Sequence, residues 1–113
     1  MNLNIFKLFS IIILIIPSLN AQINWQPGGW ALACDFKGND LTNAKTSGAE
    51  CGARCASTQG CTHFTWTSYN DGTCWMKSGQ VSQSNAVYTG DTSMTCGIIS
   101  GKILILSFLK YIK

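Results

Sequence analysis

The sequence predicts an α+β fold: one strand, one helix, then several antiparallel strands, stapled by disulfides. Three observations lead there. All six cysteines lie between Cys34 and Cys96. A single segment, around Glu50, carries helix-capping chemistry, and the segments after it are aromatic and β-branched. The cysteine-bearing stretch is also too short to bury a large core, and domains of that size need disulfides, metal or oligomerisation.

The compartment comes from the first residues, "MNLNIFKLFSIIILIIPSLNAQ". Lys7 precedes an apolar run from Ile11 to Ile16, Pro17 breaks the run, and small Ala21 ends a short polar stretch. This is the layout of a secretory signal peptide over 1–21, cleaved after Ala21. A membrane anchor is the competing reading, but the run is shorter than the ~20 residues a spanning helix needs. The mature chain is expected to start near Gln22, outside the cytosol, where thiols oxidise.

There, an even set of cysteines reads as a disulfide framework. Zinc favours close C-x2-C pairs or Cys with His. Here the spacings are C-x3-C, C-x5-C and C-x12-C, and His63 is the only histidine. A redox C-x-x-C is absent. Closing a loop as long as Cys34 to Cys96 contributes about 4 kcal/mol in the chain-entropy model, although nested bridges do not add in full.

Charge narrows the partners. The whole chain is formally +3, but the excess sits at its ends. Between Gln22 and Gly101 the cations are Lys37, Lys45, Arg54 and Lys77, against Asp35, Asp40, Glu50, Asp71 and Asp91, a net of −1. With no basic stripe, nucleic acid and heparin-type polyanions are not expected. No Asn-x-Ser/Thr sequon occurs, so N-glycosylation is not expected.

In chain order, "WQPGG" is a turn signal and forms the lead-in, 22–29. Trp30 to Phe36 reads as a strand with Trp30, Leu32 and Cys34 on one face. "KGNDLTNAKTSG" reads as loop. "AECGARCAST" reads as helix, with Ser47 as cap and Glu50 three residues on, as in a capping box. Cys51 and Cys55 are then i and i+4 on one face, and Gly60 closes the helix. "CTHFTWT" reads as a strand beginning at Cys61. "SYNDGT" is a hairpin turn, "CWMKS" the return strand, and "NAVYTG" and "SMTC" are short strands.

A helix showing Cys51 and Cys55 on one side must lie on the sheet with that side down. Geometry then permits Cys55 with Cys61 across a tight bend, Cys51 with Cys74 on the return strand, and Cys34 with Cys96. It does not select this pattern from the fifteen that six cysteines allow.

The span from Trp30 to Cys96 resembles a PAN/apple domain. The shared features are "CDFKGNDL", the helix "CGARC", the strand "GCTHFTWT", then "GTCWMKS" and a final cysteine. The resemblance covers nearly all of the expected domain, 30–97. It implies the pairings Cys34–Cys96, Cys51–Cys74 and Cys55–Cys61, and a curved antiparallel sheet cradling one helix. It also implies an extracellular module that binds protein or carbohydrate and has no catalytic activity of its own.

Candidate chemistry is sparse. His63 has no nucleophile with a recognisable motif and is expected to be an exposed or half-exposed strand residue. Asp71, and similarly Asp40, read as turn residues bonding their own backbone. No D-x-D-x-D-G series marks calcium. Nothing calls for a metal or a cofactor, and no nucleophile–base or paired-acid set indicates an enzyme.

The aromatics say more. Phe64 and Trp66 share a strand face, which places Phe64 in the core. Trp75 alternates with Cys74 and Met76 and so faces away from the helix, where it either covers a thin second core or meets a ligand. A Trp beside Thr, Asn and Ser can stack on a sugar or anchor a partner protein. The candidate ligand-binding residues are Tyr69, Asn70, Trp75 and Lys77. The predicted function is secreted, non-enzymatic recognition of an extracellular protein or glycan. The alternative is a small secreted inhibitor or effector on the same scaffold, against which the near-neutral charge argues.

The tail, 98–113, is apolar from Ile103 to Leu109, with Lys102, Lys110 and Lys113 around it. The run is too short to span a bilayer, and the closing Lys-Tyr-Ile-Lys does not suit a GPI signal. A strand, an interfacial segment or a stretch foreign to the domain each fit it, and any membrane contact would have to come through this tail. Because Cys96 already ends the framework, a chain stopping at Ser100 is expected to be soluble and to unfold cooperatively in a thermal melt. Aggregation of the shorter chain alone would make the tail part of the fold.

Overall fold

In the computed structural model, residues 22–99 are described. The expected signal peptide, 1–21, and the tail from Ser100 onward lie outside them. The strands are β1 (Trp30–Leu32), β2 (Cys34–Asp35), β3 (Asp40–Lys45), β4 (His63–Thr67), β5 (Thr73–Lys77), β6 (Val87–Tyr88) and β7 (Thr95–Ile98), with helix α1 (Gly48–Ser57) between β3 and β4. Five strands form one antiparallel sheet in the order β1-β7-β4-β5-β3, and β2 pairs with β6 beside it. The class is α+β, and the sheet cradles α1 on one face.

The helix starts where its cap sits. Ser47 Oγ accepts the Glu50 backbone N–H at 3.2 Å, satisfying one of the free donors of the first turn. Glu50 in the first turn and Arg54 in the last both complement the helix dipole. Cys51 and Cys55 are fully buried against the sheet. After Ser57 the Thr58 N–H donates to the Cys55 carbonyl, and Gly60 reverses the chain at φ 84°.

Three bridges join these layers. Cys51–Cys74 fastens the first half of α1 to β5, with Cα atoms 5.3 Å apart. Cys55–Cys61 ties the second half of α1 to the bend before β4. Cys34–Cys96 joins β2 to β7 on the other side of the sheet. The sheet therefore has a core on each face. Phe64 and Met76 pack with the two helix bridges, and Trp66, Ala44 and Ile99 cover them. Ala31 and Phe36 pack with Cys34–Cys96 under Trp25, Ile23, Val81 and Ala86.

Several sequence-based expectations need correction. Trp30–Phe36 is not one strand. Ala33 adopts φ 57° and breaks it, sending β1 to the main sheet and β2 to the small one. The break removes the common face: Trp30 and Leu32 are exposed, while Ala31 and Cys34 are buried. The expected loop "KGNDLTNAKTSG" contains β3, an edge strand paired along β5 with a bulge between Asp40 and Thr42. Its polar composition hides it, because an edge strand with an exposed face needs no apolar alternation. Cys61 lies in the bend, and β4 begins at His63. At the far end the pairing continues past Gly97: Ile98 pairs with His63, and the Ile99 N–H donates to the Thr62 carbonyl at 2.8 Å.

Loop length ranks the bridges. Replacing Cys34 and Cys96 by Ser opens a loop of 62 residues, and replacing Cys55 and Cys61 opens one of 6. Chemical denaturation should show losses of about 4 and about 2 kcal/mol respectively. Two or more reactive thiols in the unmutated protein would contradict the framework itself.

Candidate recognition site

Strand parity divides β4 and β5 between the two faces. Phe64, Trp66, Cys74 and Met76 point to α1, and His63, Thr65, Thr67, Trp75 and Lys77 to the opposite face. Phe36 lies over the middle of that opposite face. Its backbone N–H donates to Thr65 Oγ1 at 3.0 Å, and its ring meets His63 edge-on at 5.1 Å. The β5 side remains open as a cleft of about 740 Å³, floored by Phe36, Thr65, Thr67 and Trp75 and rimmed by Tyr69 and Lys77.

The cleft's aromatic wall is held rigidly. The Trp75 indole Nε1–H donates to Thr67 Oγ1 at 2.9 Å, which orients the half-buried ring. Tyr69 stands 6.0 Å from it at a 37° tilt and is 61% exposed. The turn after Tyr69 fixes this position. Asn70, Asp71 and Gly72 all have positive φ, and Thr73 Oγ1 and the Gly72 N–H both donate to the Tyr69 carbonyl. A Cβ on Gly72 would lie 2.7 Å from the Thr46 carbonyl oxygen, so only glycine fits there.

Of the four candidate residues, the structure brings Tyr69, Trp75 and Lys77 together around this cleft, and Asn70 is not among its lining residues. Lys77 does not have the free ammonium group the sequence suggested. Its side chain is buried, and Nζ donates to the Gly38 carbonyl at 2.9 Å and to Asp40 Oδ1 at 2.5 Å. It clips the 36–40 segment to β5, and burying a lysine requires such partners. Asp40 accordingly is not a self-bonded turn residue; it opens β3 and holds Lys77. The Asp40–Lys77 pair was invisible in the sequence because 37 residues separate its members. Phe36, Thr65 and Thr67 were missed as well. The only available signal was the Thr–x–Thr alternation in β4.

His63 also overturns its expectation. It is completely buried, under Phe36 and beside Lys77, because β4 is a central strand covered on both faces. Thr62 Oγ1 donates to the Gly79 carbonyl and so receives the His63 Nδ1–H at 2.8 Å. That assigns the proton to Nδ1. Nε2 is left buried without a partner. Burial, and secondarily the Lys77 charge, holds the imidazole pKa below its ordinary 6.5. Among the described residues no group of three or more His, Cys, Asp and Glu is placed to hold a metal.

Residues 34–77, from β2 to β5, match the family described as PAN domain. The chain carries a PAN domain. The match includes all the residues of the Tyr69–Trp75 wall and both helix bridges. No curated protein and no solved structure matches the chain. PAN domains in general are protein- or carbohydrate-binding modules, and generally non-catalytic. A disulfide-rich PAN domain belongs in an oxidising environment. No helix among the described residues is long and apolar enough to cross a membrane.

The buried imidazole makes stability depend on pH with a definite sign. Its folded pKa lies below the unfolded 6.5, so the unfolded chain takes up the proton first. Its contribution is therefore complete above 6.5 and declines as pH falls from there towards the folded value. The melting temperature should drop between pH 7.5 and pH 5, and His63→Gln should flatten that drop. An unchanged slope in the variant would assign the effect to another group.

Proposed function

We propose that this PAN domain is a secreted, non-catalytic recognition module that binds an extracellular glycan or polypeptide in the cleft beside β5. The observation that carries this is the Tyr69–Trp75 pair: one ring fixed by a hydrogen bond, the other exposed, beside the Thr65 and Thr67 hydroxyls. Stacking on such rings supplies affinity, and the hydroxyls supply orientation. The charged groups around the cleft balance, with Asp35 and Asp40 against Lys37 and Lys77. That balance favours an uncharged ligand surface, such as a neutral sugar or a polar peptide, over a polyanion. Secretion rests on the sequence of residues 1–21 together with the three bridges.

A glycan array run beside a pull-down from extracellular extract identifies the ligand class. Trp75→Ala should then weaken binding by at least ~1 kcal/mol. Tyr69→Ala, at an exposed position, should do so without disturbing the melt. Variants that fold and bind normally would move the site elsewhere, and unfolding of Trp75→Ala alone would make that residue part of the core.

A further inference from the structure

A second concavity lies on the other face of the sheet. Helix α1 contacts β4, β5 and β7 but has no comparable contact with β1. The strip between α1 and β1 is a groove of about 560 Å³. Its walls are Trp30 and Leu32 on β1, which are 40% and 50% exposed, and its floor includes Phe64 and Ile99. On the helix side, Gly48 and Gly52, one turn apart, present no side chain to fill it. Thr95 is its one polar side chain, and no charged group lines it. It shares no residue with the recognition cleft.

The chain itself supplies a matching segment. Ile99 lines the groove and is the last described residue. Ser100, Gly101 and Lys102 follow, a polar link that reaches at most about 10 Å when extended. Then comes "ILILSFL", Ile103 to Leu109, bracketed by Lys102 and Lys110. In an extended conformation Leu104, Leu106 and Phe108 fall on one side. The apolar run thus begins within one short link of an apolar groove of the same chemistry.

We propose that the groove between α1 and β1 is the docking site for the chain's own C-terminal run, Ile103–Leu109, with the Leu104, Leu106 and Phe108 side seated against Trp30, Leu32 and Phe64. Docking removes apolar surface from water on both partners. The flanking lysines keep the two ends of the run in solvent. The tail is then a plug on the domain, not a membrane segment.

The test is NMR on the chain from Gln22 to Lys113, with labelled Leu and Ile methyl groups. The expected result is a set of NOEs from the Leu104 and Leu106 methyls to the Trp30 indole, unchanged on dilution. Leu106→Asp, and separately Leu32→Asp at a half-exposed position, should abolish them while the rest of the spectrum stays folded. Absence of these NOEs in the unmutated chain overturns the proposal. So does their loss on dilution, which would mean a second copy's tail. Ordering of the tail only when phosphatidylcholine vesicles are added would assign it to the membrane and equally overturn it.

Discussion

The Cys51–Cys74 bridge sets the layer order on which everything else rests. It fixes α1 above β5, which lies between β4 and β3. Once Cys74 faces the helix, the two-residue period of a strand sends Met76 inward with it and Trp75 and Lys77 to the far side. The same parity runs across the ladder to β4, where Phe64 and Trp66 face the helix and His63, Thr65 and Thr67 do not. A one-residue slip would exchange the core for the cleft, so the covalent link guards against the error that matters most in so small a sheet.

The far face is where the domain tolerates polar burial. It holds a cation, an imidazole and a threonine, all nearly inaccessible. Each is satisfied by something distant in sequence: Lys77 by Asp40 and Gly38, Thr65 by the Phe36 N–H, His63 Nδ1 by Thr62. Removing one partner of such a set leaves a buried polar group unpaired, which costs more than the bond itself contributes. The consequence is positional. The 36–40 segment cannot drift from β5, and the cleft between them keeps its shape. The unpartnered Nε2 of His63 is the one weak point in that arrangement.

The two concavities differ in chemistry. The far-face cleft combines fixed aromatic rings with hydroxyls and balanced charge, the mixture that orients a polar ligand. The groove beside β1 is apolar and borders the exit of the chain. A domain with two such surfaces can bind a partner on one while the other is closed by its own residues.

Much of the fold was legible in the sequence because its signals are local. Ser47 and Glu50 mark the helix start, Cys51 and Cys55 share a helix face by spacing, and Tyr69 to Gly72 can only turn. The aromatic, alternating segments after Gly60 become β4 and β5, and Trp75 faces away from the helix by parity alone. The tertiary structure decided what depends on contacts between distant residues. It made a strand of the polar segment Asp40–Lys45, because β5 offers a free edge whatever the composition of its partner. It broke the strand at Ala33, because the chain must serve two sheets. It buried His63, because a central strand covered on both faces leaves no exposed side, and it took the Lys77 charge for Asp40, because a lysine enters a core only with a partner. Sequence patterns report the preferences of neighbouring residues, whereas burial and ion pairing are set by whatever the closed chain brings alongside.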